Sequence, residues 1–306
     1  MIQRLRSQIN STFYGKEEVV ENVLICLLAG GHVLLEDVPG VGKTTLVRTV
    51  ASSVDLSFGR IQFTPDTLPG DVIGMNVYNM KTQEFEYKQG PIMHQMILAD
   101  EINRTSPKTQ SCLLEAMAEG QVTVDGVIYK LQEPFMVLAT QNPVEYVGTY
   151  PLLEAQMDRF MMKLSVGYPD AQAEMEMLKA KLAGKHGENL TAVCTAKDIL
   201  DLKEQVKSVY ESDGIIAYIQ EIIELTREEK RIVLGASPRA MIALAMAARA
   251  KAFLSGRDFV TPDDVKGVAV NVLHHRMSLT SEAKIRRENI DKIVKELVLK
   301  AKVPMV

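Results

Sequence analysis

Short apolar runs alternate with amphipathic segments over the first half of the chain, up to about residue 167. Five of these runs have the length and composition of buried strands: Val33–Leu35, Gly59–Phe63, Gln95–Ala99, Phe135–Thr140 and Phe160–Val166. The connections between them mostly contain helical patterns, which favours a buried parallel sheet. We therefore expect residues 1–167 to form an α/β domain.

Two segments interrupt this alternation and are predicted to be β-hairpins. Within Val122 to Tyr129, the dipeptide Asp125-Gly126 separates two β-prone runs, which is a strong hairpin signal. Asn76 to Lys88 shows a weaker alternation of aromatic and charged residues. Hairpins inserted into a parallel α/β domain usually leave its compact body, so both are candidates for contact with another molecule.

From about Tyr168 onward the pattern becomes helical, which predicts a smaller helical domain over residues 168–306. Six segments are predicted to be helices: Ala171–Leu182, Ala196–Val209, Gly214–Lys230, Pro238–Leu254, Pro262–Leu273 and Glu282–Lys300. Ser237-Pro238 and Thr261-Pro262 each place a capping hydroxyl before a first-turn proline, so these two helix starts are well marked.

Composition is that of an ordinary soluble protein, with 46% hydrophobic residues, 24% charged residues and a net charge of −4 over 306 residues. That charge argues against a protein built to coat nucleic acid or an anionic membrane, although a locally basic pore or groove stays compatible with it. The longest uncharged apolar run, Val23 to Leu35, is shorter than the roughly 20 residues of a spanning helix. The N-terminus lacks the apolar core of a signal peptide, and the three cysteines form no CxxC pair. We expect a cytoplasmic protein without membrane insertion.

The segment from Leu34 to Thr45 reads as a strand, a glycine-bearing loop and the start of a helix. Gly40 and Gly42 allow backbone N–H groups to point at phosphate oxygens, and the helix start adds its positive dipole end. Lys43 is expected to neutralise the β- and γ-phosphates and Thr44 to offer its hydroxyl to Mg²⁺. The strict pattern has glycine at position 37, where this chain has an aspartate, a residue that tolerates turn conformations. The predicted cofactors are ATP and Mg²⁺, held by Pro39, Gly40, Val41, Gly42, Lys43, Thr44 and Thr45.

A second apolar strand, within Met96 to Glu101, ends in two carboxylates. A magnesium-dependent hydrolase needs one carboxylate for the ion and another to orient the attacking water, and we assign these tasks to Asp100 and Glu101. A solvated acidic turn is the alternative, which the preceding phosphate-binding loop disfavours. Asn142 follows a further strand and could bond the attacking water or the γ-phosphate; without the other motifs, a turn-forming Asn-Pro would be preferred.

Four segments together resemble the MoxR family of AAA+ ATPases. They are Glu36 to Thr44, Ala99 to Arg104, Ala139 to Pro143 and Glu154 to Phe160, in the family's order and spacing. Phosphate-binding loops occur widely, whereas the Asp-Glu-Ile-Asn-Arg and Glu-Ala-Gln-x-Asp-Arg-Phe segments are much more specific. One departure is Leu153, where the family usually has a second proline.

The resemblance implies roles for further residues. It makes Asn142 the sensor 1 residue, Arg159 an arginine finger for a neighbouring subunit's γ-phosphate, and Arg239 the sensor 2 residue of the lid. Tyr14 and Gly15 match the segment that packs near adenine. The two hairpins match the helix-2 and pre-sensor-1 insertions, which face the central pore of a ring.

Physical chemistry supports both arginine assignments and leaves alternatives open. An added arginine accelerates phosphoryl transfer by about 10³–10⁵-fold. For Arg159 the alternative is an intramolecular salt bridge with Asp158 or Glu154, and Arg104 is a rival for the trans-acting arginine. Arg239 is either a solvated residue or a phosphate ligand, and the second is favoured because a cation is disfavoured in a first helical turn.

The predicted fold is therefore a P-loop AAA+ core with a parallel sheet and inserted hairpins, followed by a smaller all-α lid. The predicted function is Mg-dependent ATP hydrolysis by a homo-oligomeric ring, expected to be a hexamer, that remodels or activates protein partners. The resemblance implies partners that contain von Willebrand factor A domains. One alternative is a nucleic-acid motor, which the acidic hairpin tip Val124 to Val127 disfavours; another is a nucleotide-gated scaffold with little turnover.

Overall fold

The computed structural model of the chain describes residues 1–37, 40–142, 149–182 and 190–304. Within them the helices are α1 (Ile2–Thr12), α2 (Glu17–Ala29), α3 (Lys43–Ser53), α4 (Pro69–Ile73), α5 (Pro107–Glu119), α6 (Glu154–Met157), α7 (Ala171–Leu182), α8 (Ala196–Lys207), α9 (Asp213–Glu228), α10 (Pro238–Leu254), α11 (Pro262–Leu273), α12 (Ser281–Ile285) and α13 (Ile290–Lys300). The strands are β1 (Val33–Glu36), β2 (Phe58–Gln62), β3 (Gly74–Asn79), β4 (Glu84–Gln89), β5 (Met96–Asp100), β6 (Gln121–Val124), β7 (Val127–Lys130), β8 (Met136–Gln141), β9 (Met162–Leu164), β10 (Ile232–Leu234) and β11 (Ser278–Leu279).

The central sheet has five strands in the order β2-β5-β8-β1-β9. β1 pairs with β8, and β5 pairs with both β2 and β8, all in parallel. β5 is buried along its whole length, as an apolar run in a covered parallel sheet should be. The five predicted strands are confirmed, although β9 is shorter than the predicted Phe160–Val166.

Both predicted hairpins are present. β6 and β7 are joined at Asp125 and Gly126, whose φ angles of 49° and 83° are the positive values that a tight two-residue turn requires. β3 and β4 pair antiparallel along their whole length. The two hairpins contact each other, because Asn76 donates a 2.7 Å hydrogen bond to Asp125 and the rings of Tyr87 and Tyr129 stack with centroids 4.0 Å apart.

The second half is mainly helical, and its marked helix starts are capped as the sequence predicts. The Ser237 hydroxyl accepts a hydrogen bond from the Ala240 N–H group, and Thr261 forms a capping box with Asp264. A short antiparallel pair, β10 with β11, accompanies these helices. The pattern had not indicated this pair.

The prediction of one helix over Glu282–Lys300 is wrong. α12 ends at Ile285 and α13 begins at Ile290. Between them, Arg287 has a φ of 54°, which an α-helix does not accept. The Asn289 side chain then accepts hydrogen bonds from two N–H groups of the first turn of α13, so it starts a new helix.

The chain forms two compact units. The first comprises residues 1–21, 32–152 and 164–200, and the second residues 22–31, 153–163 and 201–306. Strands β1 to β8 and both hairpins belong to the first unit, and helices α9 to α13 belong to the second. The domain boundary between residues 167 and 168 stays a prediction.

Three further observations concern the cysteines, the possible metal ligands and the hydropathy of the described helices. Cys26, Cys112 and Cys194 are all free thiols. No group of three or more His, Cys, Asp or Glu side chains among the described residues is arranged to hold a metal ion. None of the described helices is both long enough and apolar enough to cross a bilayer.

Candidate active site

A cavity of about 360 Å³ lies where β1, β2, β5 and β8 end, which is the edge at which open parallel sheets bind ligands. Its lining brings together eight of the predicted residues: Gly40, Gly42, Lys43, Thr44, Thr45, Asp100, Glu101 and Asn142. Four other residues complete the lining: Asp37, Arg60, Gln62 and Thr140. The cavity thus has a phosphate-type loop on one side and carboxylates on the other.

In the described part of the loop after β1, two glycines have a backbone conformation that suits phosphate binding. Gly40 and Gly42 have φ angles of 88° and 86°, which glycine adopts without the cost that a Cβ would add. A Cβ on Gly42 would also lie 3.2 Å from the ring of Phe13. α3 begins directly after this loop with a glycine as its cap, so the first N–H groups of the helix have no side-chain cap. Such groups suit an anion.

Val41, another predicted loop residue, is not among the described residues that line the cavity. Val41 is buried, with 6% of its surface exposed, so its side chain contributes to packing. Pro39 lies outside the described residues.

Lys43, the first residue of α3, is half-buried. Its ammonium group donates a 2.9 Å hydrogen bond to the backbone carbonyl of Asp37. Burial lowers the pKa of Lys43 from its ordinary value, and the charges of Asp37, Asp100 and Glu101 oppose that shift. A partly desolvated ammonium group gains from an anionic partner, so the position of Lys43 fits a phosphate ligand.

Asp37 has a contact set that the sequence reasoning missed. One carboxylate oxygen accepts hydrogen bonds from the Ser165 hydroxyl at 2.9 Å and the Gly167 N–H group at 3.0 Å. The other oxygen accepts a hydrogen bond from the Val166 N–H group. Asp37 therefore binds the segment that follows β9. The sequence analysis had assigned it only a conformational role, as a residue that tolerates a turn.

Asp100 is the last residue of β5 and is 8% exposed. Its carboxylate accepts a 2.8 Å hydrogen bond from Arg60 on β2 and a 3.2 Å hydrogen bond from the Thr140 hydroxyl on β8. Arg60 also donates to Gln62 at 3.0 Å. A visible signal for these neighbours was the alternation on β2, where polar Arg60 and Gln62 flank a buried isoleucine.

Glu101 turns away from the strand and has different partners. Its φ and ψ angles of 58° and 48° are left-handed, a conformation that non-glycine residues adopt at a cost and that is common at functional sites. Its N–H group donates to the Thr140 hydroxyl at 2.9 Å. Its carboxylate accepts hydrogen bonds from Gln62 at 3.1 Å and Arg104 at 2.9 Å. The two carboxylates therefore have different side-chain partners.

Asn142 directly follows β8 and lines the cavity with 8% of its surface exposed. Its backbone carbonyl accepts a 3.5 Å hydrogen bond from the Asn103 side chain. Pro143, the second half of the alternative Asn-Pro turn, lies outside the described residues.

Tyr14 and Gly15 lie between α1 and α2 and are not part of the cavity lining. Gly15 has a φ of 68°, and a Cβ on it would lie 2.7 Å from the Cβ of Ala173 in α7. Packing alone therefore explains the glycine. The neighbouring Phe13 is the aromatic residue that approaches Gly42.

Arg159 and Arg239 both belong to the second unit. Arg159 is half-buried just after α6, and Arg239 is exposed in the first turn of α10. Asp158, which was considered as a salt-bridge partner of Arg159, forms an ion pair with Arg276 at 3.2 Å.

Comparison with known proteins gives consistent results for both halves of the chain. Residues 32–162 match the ATPase family associated with various cellular activities (AAA), and residues 224–297 match the AAA lid domain. The protein YeaC of Bacillus subtilis (strain 168) is 52% identical over 297 residues, which are 97% of this chain and 93% of that protein. Chaperone MoxR1 of Mycobacterium tuberculosis is 40% identical over 291 residues, with coverage of 92% and 77%. A solved structure from Cytophaga hutchinsonii ATCC 33406 matches with a TM-score of 0.93 and 40% identity, over 99% of this chain and 95% of that one.

Proposed function

The chain belongs to the MoxR family of AAA+ ATPases, and we propose that it hydrolyses ATP with Mg²⁺ in a ring of identical subunits to remodel protein partners. One observation carries the catalytic part of this proposal. A single cavity joins a glycine loop and a half-buried lysine to two carboxylates and an amide that lie at the ends of neighbouring strands. Phosphoryl transfer needs these groups, because its catalysis is mostly positioning and charge stabilisation.

Each side of the cavity has a proposed task. Lys43 and the first N–H groups of α3 bind the phosphates, and Thr44 and Asp100 hold Mg²⁺. Glu101 and Asn142 orient the attacking water. When bound, Mg²⁺ would supply positive charge that stabilises the negative charge developing on the transferring phosphoryl group. The donor set fits this ion, because hydroxyl and carboxylate oxygens are the ligands that Mg²⁺ prefers.

Both carboxylates also have hydrogen-bond partners within the chain. Asp100 accepts a hydrogen bond from Arg60, and Glu101 accepts from Gln62 and Arg104 through the same oxygen, Oε2. A carboxylate has further acceptor positions, so these contacts leave room for the ion at Asp100 and for the attacking water at Glu101.

The arginine roles are proposals from the family resemblance. Arg159 is proposed to act on a neighbouring subunit's γ-phosphate, and Arg239 to sense the nucleotide in its own subunit. The Arg104–Glu101 hydrogen bond within one chain supports Arg159 over Arg104 as the trans-acting residue. Tyr14 and Gly15 stay proposed as the adenine-proximal segment.

The biological part of the proposal rests on the family alone. We propose a hexameric ring in the cytoplasm, with von Willebrand factor A domain proteins as partners and no function on nucleic acid. The Mycobacterium tuberculosis relative is named as a chaperone, which supports the remodelling role.

The decisive experiment compares ATP turnover of the wild type and Glu101→Gln at saturating Mg²⁺. Loss of the water-orienting carboxylate is expected to lower kcat by about 10²-fold or more, with ATP affinity retained within about twofold. Glu119→Gln, at the exposed end of α5, is the matched control and should turn over at the wild-type rate. Equal rates for wild type and Glu101→Gln would instead favour a nucleotide-gated scaffold.

A further inference from the structure

A polar cluster in the second unit, with two buried members and two half-buried ones, connects the segments that carry Arg159 and Arg239. We call it the Asp158 cluster; its members are Asp158, Ser237, His275 and Arg276. The Ser237 hydroxyl lies 3.1 and 3.2 Å from the two carboxylate oxygens of Asp158, to which it donates a hydrogen bond. Asp158 directly precedes Arg159, and Ser237 lies two residues before Arg239.

The same cluster holds the backbone on both sides of Arg159. Arg276 donates to the carbonyl oxygen of Asp158 at 3.2 Å and to that of Phe160 at 2.8 Å. The ring of His275 also donates to the Phe160 carbonyl, through Nε2 at 3.0 Å, because a carbonyl oxygen can only accept. The backbone carbonyls of Asp158 and Phe160, the residues on either side of Arg159, are therefore both hydrogen-bonded by buried side chains.

The charges in the cluster make this geometry hard to change. The Arg276 side chain is 2% exposed, and its Nε lies 3.2 Å from the Asp158 carboxylate. Burial lowers the pKa of Arg276 to about 10, so it stays charged at neutral pH. A charge buried to this degree is strongly destabilising without its partner, so Asp158 and Arg276 move together or not at all.

The Ser237 hydroxyl makes two hydrogen bonds with different structural effects. Its oxygen accepts a 3.1 Å hydrogen bond from the Ala240 N–H group, which caps α10. Its hydroxyl proton goes to Asp158. The cap alone needs only an acceptor, so the donated hydrogen bond is an additional connection between the start of α10 and the segment of Arg159.

We propose that the Asp158–Ser237 hydrogen bond couples Arg239 to Arg159, so that the nucleotide state of one subunit sets how well it presents Arg159 to its neighbour. A shift of α10 that follows a change at Arg239 reaches Asp158 through Ser237, and the peptide of Arg159 moves with it. Asp158 and Ser237 are positioning residues in this scheme. The inference rests on the proposed roles of Arg159 and Arg239.

Substitutions at Ser237 separate the cap from the connection. Ser237→Gly keeps a tolerated cap residue and removes the hydroxyl. Ser237→Asp keeps a strong cap but has no proton to donate and places a second carboxylate beside Asp158. Ser237→Thr keeps both the cap and the donor, so it is the matched control.

The test uses mixed rings in which only one kind of subunit can turn over ATP. Acceptor subunits carry Arg159→Ala, which leaves their own site intact. Donor subunits keep Arg159 but have a silent site, either empty through Lys43→Ala or filled with ATP through Glu101→Gln. Donor incorporation is matched by native mass spectrometry, and the measured turnover then reports how well each donor assists its neighbour.

With an unaltered cluster, the two donors are expected to differ by about fivefold or more in the turnover they support, the usual size of coupling between sites. With Ser237→Gly or Ser237→Asp in the donor, the ratio between empty and filled donors should fall below about twofold, while Ser237→Thr keeps it. A merely structural role for Ser237 would lower both rates equally and leave the ratio unchanged. That outcome, or a ratio near one in unaltered donors, overturns the coupling.

If the proposed role of Arg159 or of Glu101 is itself wrong, the turnover measurements give a different result. If neither donor restores turnover to Arg159→Ala acceptors in rings of demonstrated mixed composition, Arg159 is not the trans-acting residue and the coupling falls with it. If Glu101→Gln donors alone hydrolyse ATP at the wild-type rate, the catalytic assignment fails instead.

Discussion

The guanidinium group of Arg104 donates a hydrogen bond of 2.9 Å to the carboxylate of Glu101 in the same chain. Arg104 therefore contacts the candidate active site of its own subunit. On the basis of this contact we propose that Arg104 acts in cis, and the choice between Arg104 and Arg159 as the trans-acting arginine stays a prediction.

Mixing experiments with Lys43→Ala subunits are expected to distinguish these two arginines. Lys43→Ala subunits are inactive but still offer Arg159, so mixing them with Arg159→Ala subunits should restore ATP turnover. Mixing them with Arg104→Ala subunits should restore nothing, because Arg104 acts in cis. Steady-state phosphate release from rings of known composition measures both. Recovery by the Arg104→Ala mixture would reverse the assignment.

Asp37→Asn should destabilise the first unit. The carboxylate accepts hydrogen bonds from three consecutive residues, 165–167, and an amide can accept these only in part. We expect the free energy of unfolding in urea to fall by about 2–3 kcal/mol, the range for hydrogen bonds to a charged group. Asp55→Asn, at an exposed turn whose φ of 48° asparagine tolerates, is the control and should change it by less than about 0.5 kcal/mol. Equal losses would mean that Asp37 serves only the turn.

Gly15→Ala should cost more stability than Gly120→Ala. Both glycines have similar φ angles, 68° and 61°, so both variants bear the left-handed cost of about 1–2 kcal/mol. Only at Gly15 does the new Cβ lie 2.7 Å from the Cβ of Ala173; at Gly120 it meets no atom within 4 Å. Urea unfolding is expected to show a further loss of about 1–3 kcal/mol for Gly15→Ala. Identical values would show that α7 moves away without cost.

His275 should make the stability of the second unit depend on pH. Burial, and then the charges of Arg276 and His274, lower the pKa of His275 well below its ordinary value. In the unfolded chain the imidazole takes up a proton below about pH 6.5, whereas the folded one stays neutral. The stabilisation is therefore complete above that pH and is lost as the pH falls, by up to about 1.4 kcal/mol per unit.

Chemical denaturation at pH 7.5 and 5.5 checks this dependence. His275→Gln can still donate to the Phe160 carbonyl but does not titrate, so its unfolding free energy should change less between the two pH values. The exposed His94→Gln is the matched control and should keep the wild-type slope. A wild-type slope in His275→Gln would assign the pH dependence to other groups.

Local pattern was sufficient for most of the fold. Short apolar runs between amphipathic segments predicted the five strands of the central sheet, and Asp125-Gly126 predicted the tight turn between β6 and β7. Periodicity predicted α7, α10 and α11 with the observed bounds, and capping residues marked the starts of α10 and α11. The single helix over Glu282–Lys300 failed because periodicity continues across a break that Asn289, a capping residue, makes.

The sequence by itself determined eight of the described residues that meet at the cavity, because a phosphate loop and the ends of parallel strands place them at one edge of a sheet. Only the tertiary structure decided what the polar side chains bind. Asp37 bonds to residues 165–167, Arg60 to Asp100, and Ser237 to Asp158, all across long stretches of chain. A hydrogen bond depends on distance and direction between two groups, and neither is encoded by the local alternation of apolar and polar residues.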